Sequence, residues 1–100
     1  MSQQEEQLEI RMPTGTDDPL SDQEIRRYRE EIDRLDNIII EAVQRRSKVS
    51  QAIGKTRMGS GGTRLVHNRE LAVINQYRAA LGDEGPALAG ILLRLGRGKL

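Results

Sequence analysis

One hundred residues, 36 % of them hydrophobic and with a net charge of +1, suffice for one domain at most, and one small enough to be marginal without oligomerisation. The absence of cysteine excludes disulfides and thiol chemistry. No apolar run reaches membrane length and the first residues lack the basic-then-apolar pattern of a signal peptide, so the expected location is the cytoplasm, away from membranes.

The charge is unevenly distributed. Twelve of the fifteen acids lie at or before Glu41, and none lies between Glu41 and Glu70. That interval holds Arg45, Arg46, Lys48, Lys55, Arg57, Arg64 and Arg69, a local excess of positive charge that calls for an anion.

In chain order, residues 1–20 are polar, rich in Gln and Glu, and punctuated by Pro13, Gly15 and Pro19, the composition of a flexible tail. From residue 21 to about 58 the apolar positions Ile25, Tyr28, Ile32, Leu35, Ile39, Ala42, Val49 and Ile53 step by alternating threes and fours once Arg46 is counted among them. This is the a/d repeat of a helix that packs along another helix. Ser21 and Glu24 make an S-x-x-E capping box, and Leu20 and Ile25 stand where a hydrophobic staple would. At about 1.5 Å per residue the helix is roughly 55 Å long, against a radius of gyration of about 13 Å for a compact domain of this size. One chain cannot cover such a rod, so a partner chain is expected.

Residues 59–63, Gly-Ser-Gly-Gly-Thr, form a loop without the phosphate-binding pattern or a preceding strand. A second helix is expected from about 65 to 81, with Leu71, Ile74, Tyr77 and Leu81 inward and Gly82 as its C-cap. Pro86 suits the first turn of a third helix, apolar on most sides and therefore expected to be buried, which ends at Gly96 before a short basic tail. Strand patterns and repeats are absent, so the expected class is all-α with one long and two shorter helices.

Arg46 occupies a position in the apolar stripe, where an unpaired charge costs several kcal/mol. A lone arginine there most simply snorkels or pairs. Arg57, eleven residues on, projects from nearly the same face about 16 Å away, so the two side chains can converge on one small anion. His67 has no partner pattern for nucleophilic catalysis, and one histidine without cysteine leaves no metal site. What remains is a cationic pocket of Arg46, Arg57 and Arg69 with Glu70 as its one acid, suited to a reaction driven by positioning and electrostatics.

The run R-E-E-I-D-R-L-D at 29–36, then Q-R-R at 44–46 and I-G-K-T-R-M at 53–58, resembles the all-α (AroQ-class) chorismate mutases. The stretch G-G-T-R-L-V-H-N-R-E at 61–70 and the ending L-L-R-L-G-R-G-K-L resemble the short, stand-alone δ subtype, so that residues 21–100 form the chorismate mutase domain. The resemblance implies an interlocked homodimer of three-helix protomers. Its reaction is the [3,3] (Claisen) rearrangement of chorismate to prephenate in phenylalanine and tyrosine biosynthesis, without cofactor, metal or covalent intermediate. It further implies that Arg46 and Arg69 bind substrate carboxylates, that Arg57 is the cation at the ether oxygen, and that Glu70 accepts a hydrogen bond from the ring hydroxyl. Thr63 and Val66 would line the pocket, and Arg29 would come from the other protomer. Arg57, Arg46 and Glu70 are then the catalytic set.

Geometry bears on Arg29 independently. It lies seventeen residues from Arg46, about 25 Å along one helix and about 100° around it, so both cannot hold one small ligand from the same chain. One feature departs from larger relatives, which present a polar side chain from the third helix to the ether oxygen: residues 87–100 contain no Gln, Asn, Asp or Glu. The δ subtype shares this and is activated by complex formation with a DAHP synthase, which the resemblance makes the expected partner; two glycines in the last five residues make the 97–100 tail costly to order, so this tail and the 59–63 loop are the expected docking elements. Two other classes compete: a basic helical dimer binding nucleic acid, and a structural coiled-coil module. The first is opposed by the stripe position of Arg46 and the near-absence of aromatics, the second by an arginine in the stripe and a Gly-rich loop.

Overall fold

The computed structural model describes residues 8–57 and 63–98, with the backbone alone for 63–65. These residues form three α-helices, α1 (Asp22–Arg57), α2 (Thr63–Leu81) and α3 (Gly85–Arg97), with one turn of 3₁₀-helix at Gly82–Glu84. No strand occurs among the described residues, as an all-α chain requires, and no helix is long and apolar enough to cross a membrane. The Gly59–Gly62 part of the expected loop and the Lys99–Leu100 part of the expected tail lie outside the described residues. The chain divides into two compact units, Met1–Ile40 and Glu41–Leu100, with the boundary inside α1.

In the first unit the capping box forms as its sequence predicts. The Ser21 amide donates to Glu24 Oε1 at 2.9 Å, and the Glu24 amide donates to Ser21 Oγ at 3.1 Å. Residues 8–21 have no helix or strand but are bonded to this helix start. The Arg11 guanidinium spans both Glu24 oxygens (Nε to Oε2 3.0 Å, Nη2 to Oε1 2.8 Å) and the carbonyls of Asp18 and Pro19, while the Arg11 amide donates to the Tyr28 hydroxyl at 2.7 Å. Arg11, and after it the Ser21 amide, holds the Glu24 carboxyl down to about 2. Thr14 closes the intervening turn by donating from its hydroxyl (2.6 Å) and its amide (2.9 Å) to the Asp18 carboxylate, which lowers the Asp18 pKa.

α1 buries none of its residues within the chain. Ile32, Leu35 and Ile39 of the first unit are 41–57 % exposed, and Val49 and Ile53 of the second are equally open. Among the described residues, the apolar stripe positions from Ile32 to Ile53 are therefore left largely uncovered.

The second unit is built on the α2–α3 hairpin. Gly82 takes φ +77° and ends α2, a conformation that costs a β-carbon-bearing residue far more. Gly85 sits directly against the Tyr77 carbonyl, so that a side chain there would collide with backbone. Pro86 follows in the first turn of α3, where its missing amide hydrogen leaves nothing unsatisfied. Among the described residues the buried apolar side chains are Val73, Ala89 and Leu92.

Three expectations need correction. The inward face of α2 keeps only part of the expected stripe: Ile74 and Tyr77 are half-buried, but Val73 is the buried residue and Leu71 and Leu81 are exposed. Leu71 lies about 160° around the helix from Val73, and the close approach at Gly85 selects the Val73–Tyr77 side. Nor is α3 buried on most sides. Ala89, Leu92, Gly85 and Gly96 are buried, but Leu88, Ile91 and Leu95 are 41–47 % exposed, because within the chain only one flank of α3 is covered. α3 also runs one residue past Gly96, to Arg97, and Gly98 (φ +74°) is the residue that ends it.

Gly85→Ala tests the hairpin. Helix propensity favours alanine by up to about 1 kcal/mol, but collision with the Tyr77 backbone costs roughly 1–3 kcal/mol in overpacking. The expected net result is a lowered thermal midpoint, measured by circular dichroism; an unchanged or raised midpoint would show that the turn relaxes freely.

Candidate active site

Arg46 and Arg57 belong to the same unbroken helix and the same unit, eleven residues apart and thus on nearly one face. Arg46 is half-buried and reaches α3, where its Nη1 makes a long hydrogen bond, 3.4 Å, to the Leu92 carbonyl. Gly96 makes this approach possible. A β-carbon on it would stand 2.7 Å from Ser50 Oγ and 3.7 Å from Arg46 Nη1. Its expected role as a helix terminator is thereby replaced by one in close packing. One turn beyond Arg46, Gln51 Nε2 donates to the Leu95 carbonyl at 3.2 Å, which the Gly98 amide also reaches at 3.2 Å. The Leu95 carbonyl belongs to the last turn of α3, where carbonyls lack intrahelical α-helical partners, so an amide from α1 suits it, whereas Arg46 meets the α3 backbone further in, at Leu92.

Arg57 is the last described residue of α1, exposed, and lines an open groove of about 380 Å³ with Ala52, Ile53 and Thr56. Thr63 opens α2, and its side chain lies outside the description. Val66 and Arg69 are exposed on the first turns of α2, and Glu70 is half-buried on the side that carries Val73. Glu70 is engaged: Arg97 Nη2 donates to both of its oxygens, at 2.9 and 2.8 Å. Both side chains keep substantial exposure, 23 % and 47 %, and such a pair is worth about 0–1 kcal/mol, so a ligand can displace it.

The structure thus ties Arg46 to α3 and Glu70 to α3, while Arg29 belongs to the other unit. Sequence reasoning left Arg97 in a basic tail and did not single out Gln51. The available signal was the lone acid Glu70 in a cationic stretch, which needs a cation near it. The larger cleft, about 730 Å³, lies between residues 8–11 and the start of α1, but its Arg11 and Glu24 are bonded to each other rather than turned toward a ligand.

Residues 28–94 match the family model described as chorismate mutase type II. The chain is 64 % identical over 77 residues to the intracellular chorismate mutase of Mycolicibacterium smegmatis, covering 77 % of this chain and 74 % of that relative. The intracellular chorismate mutase of Mycobacterium tuberculosis is 62 % identical over 77 residues, covering 77 % of this chain and 72 % of that one. Among solved structures, the non-covalent complex of DAHP synthase and chorismate mutase from Corynebacterium glutamicum, with bound transition state analog, contains a similar chain. It is 73 % identical with a TM-score of 0.71, over 82 % of this chain and 99 % of that one.

Proposed function

This chain belongs to the chorismate mutase type II family, and from that membership we propose how its residues divide the work. The enzyme is an isomerase that rearranges chorismate to prephenate. The substrate carries two carboxylates and must be held in a compact chair for its bond-forming carbons to meet. Arg46 and Arg69, with Arg29 of the partner subunit, take the carboxylates through fork-shaped guanidinium contacts. Arg57 stands at the ether oxygen, where negative charge grows as the C–O bond breaks. Such a contact strengthens in the transition state, which is the condition for acceleration. Glu70 accepts the hydrogen bond of the ring hydroxyl once it leaves Arg97, and Thr63 and Val66 line the pocket. An acceleration of about 10⁶ needs roughly 8 kcal/mol, within reach of several charge-assisted hydrogen bonds of about 1.5–3 kcal/mol each with conformational restriction. The single observation that carries this reading is Arg46, a stripe arginine drawn onto the α3 backbone beside an otherwise apolar face. It also weighs against the nucleic-acid alternative, which needs that charge at the surface.

The biological unit in this reading is an interlocked homodimer with antiparallel long helices, located in the cytoplasm and serving phenylalanine and tyrosine biosynthesis. Its support is the apolar stripe of α1 from Ile32 to Ile53, whose large side chains are about half exposed. The proposed partner is a DAHP synthase, because the similar Corynebacterium chain was solved in complex with one.

Arg57→Ala is expected to lower kcat by the roughly 10²–10³-fold typical of losing one donor to a developing oxyanion, with helicity unchanged. Arg57→Lys retains part of the rate, since a point charge can still reach the oxygen. Loss of chorismate absorbance measures both, and a wild-type rate in Arg57→Ala refutes the assignment.

Sedimentation at micromolar concentration is expected to show a dimer. A folded, active monomer under those conditions excludes the shared site and the role of Arg29 in it.

Adding the cognate DAHP synthase is expected to raise chorismate turnover, with tighter apparent substrate binding. Removal of residues 97–100 should diminish that stimulation more than the basal rate. Equal stimulation of both chains would take the tail out of the mechanism, and none in either would take out the partner.

A further inference from the structure

Residues 8–21 lie outside the stretch that the family model matches, yet they are bonded in detail to the start of α1. Arg11 is the hub of these contacts. Its guanidinium is shared among the Glu24 carboxylate and the carbonyls of Asp18 and Pro19, and its amide holds the Tyr28 hydroxyl. Four separate points, spread from Asp18 to Tyr28, therefore converge on one residue. Glu24 serves the capping box and Arg11 together, so the arm is joined to the group that caps the helix.

Among the described residues of the Met1–Ile40 unit, the arm is all that packs against the first two turns of α1. Helix ends open locally unless something holds them, and an arginine carried by an opening turn must be ordered again each time ligand binds. Arg29 is the residue after Tyr28 and is exposed.

We infer that Arg11 is a positioning residue: by clamping the arm across Glu24 and Tyr28 it fixes the turn of α1 that presents Arg29 to the neighbouring protomer's substrate. This rests on the reading of Arg29 given above. Arg11 touches no substrate, and its effect reaches the reaction only through Arg29. The clamp's charges are in place over the working pH range, since Glu24 stays ionised down to about pH 2 and Arg11 is held protonated by it.

A double-mutant cycle on the full-length dimer tests this, with chorismate KM and kcat as readouts and sedimentation at the assay concentration as a check on assembly. Arg11→Ala is expected to raise KM by about five- to thirtyfold, the factor that ordering one residue's backbone is worth, with a smaller change in kcat. Arg11→Lys, which keeps the charge without the fork, recovers part of the loss. In an Arg29→Ala background, or Arg29→Lys if turnover is too slow, Arg11→Ala is expected to raise KM no further, because both act through one contact. An equal rise in both backgrounds overturns the inference, since the arm would then act elsewhere. A rise with Arg29→Ala but none with Arg11→Ala also overturns it while leaving the reading of Arg29 standing. No rise with Arg29→Ala removes that reading and this inference with it.

Discussion

A 36-residue helix that buries none of its own side chains constrains everything else in this protein. Its large aliphatic stripe residues Ile32, Leu35, Ile39, Val49 and Ile53 are each about half exposed. Covering the remainder is worth about 1 kcal/mol apiece, which together approaches the 5–15 kcal/mol by which whole domains are stable. Folding and association are then one equilibrium in the proposed dimer, and the monomer's own core of Val73, Ala89 and Leu92 need only hold the α2–α3 hairpin together.

The same helix supplies the polar groups that fix α3. Ser50 packs on Gly96, Gln51 satisfies the Leu95 carbonyl, and Arg46 reaches the Leu92 carbonyl. These contacts hold the Arg46 guanidinium against the α3 backbone instead of leaving it in solvent. A residue that breaks the apolar stripe thus serves packing in the isolated chain and is free to serve an anion when one arrives. Glu70 is in a comparable position, held by Arg97 through a pair weak enough to be exchanged.

Four glycines divide the structural work differently. Gly82 and Gly98 supply the left-handed conformation that ends α2 and α3. Gly85, with ordinary helical angles, is needed for contact distance to the Tyr77 backbone. These are distinct reasons for one residue type, and sequence reasoning separates them poorly. Gly96 shows the cost: read as a terminator, it is a packing glycine inside the helix.

By itself the sequence determined the features whose causes are local or periodic. The capping box at Ser21 and Glu24, the uninterrupted long helix, the stop at Gly82 and the placing of Pro86 in the first turn of α3 all follow from residues within a few positions of one another. The family was legible because it is written in short runs such as those at 29–36 and 61–70. Only the tertiary structure decided which face of α2 turns inward, since α2 carries apolar residues on both the Val73 and the Leu71 sides and the Gly85 contact chooses between them. It also decided which partners the polar side chains take. Arg97 lies 27 residues from Glu70, Gln51 lies 44 from Leu95, and Arg11 lies 13 from Glu24. No periodicity links such pairs; they meet because backbone packing brings the helices and the arm within reach, and each charge or carbonyl left by water then takes the nearest complementary group.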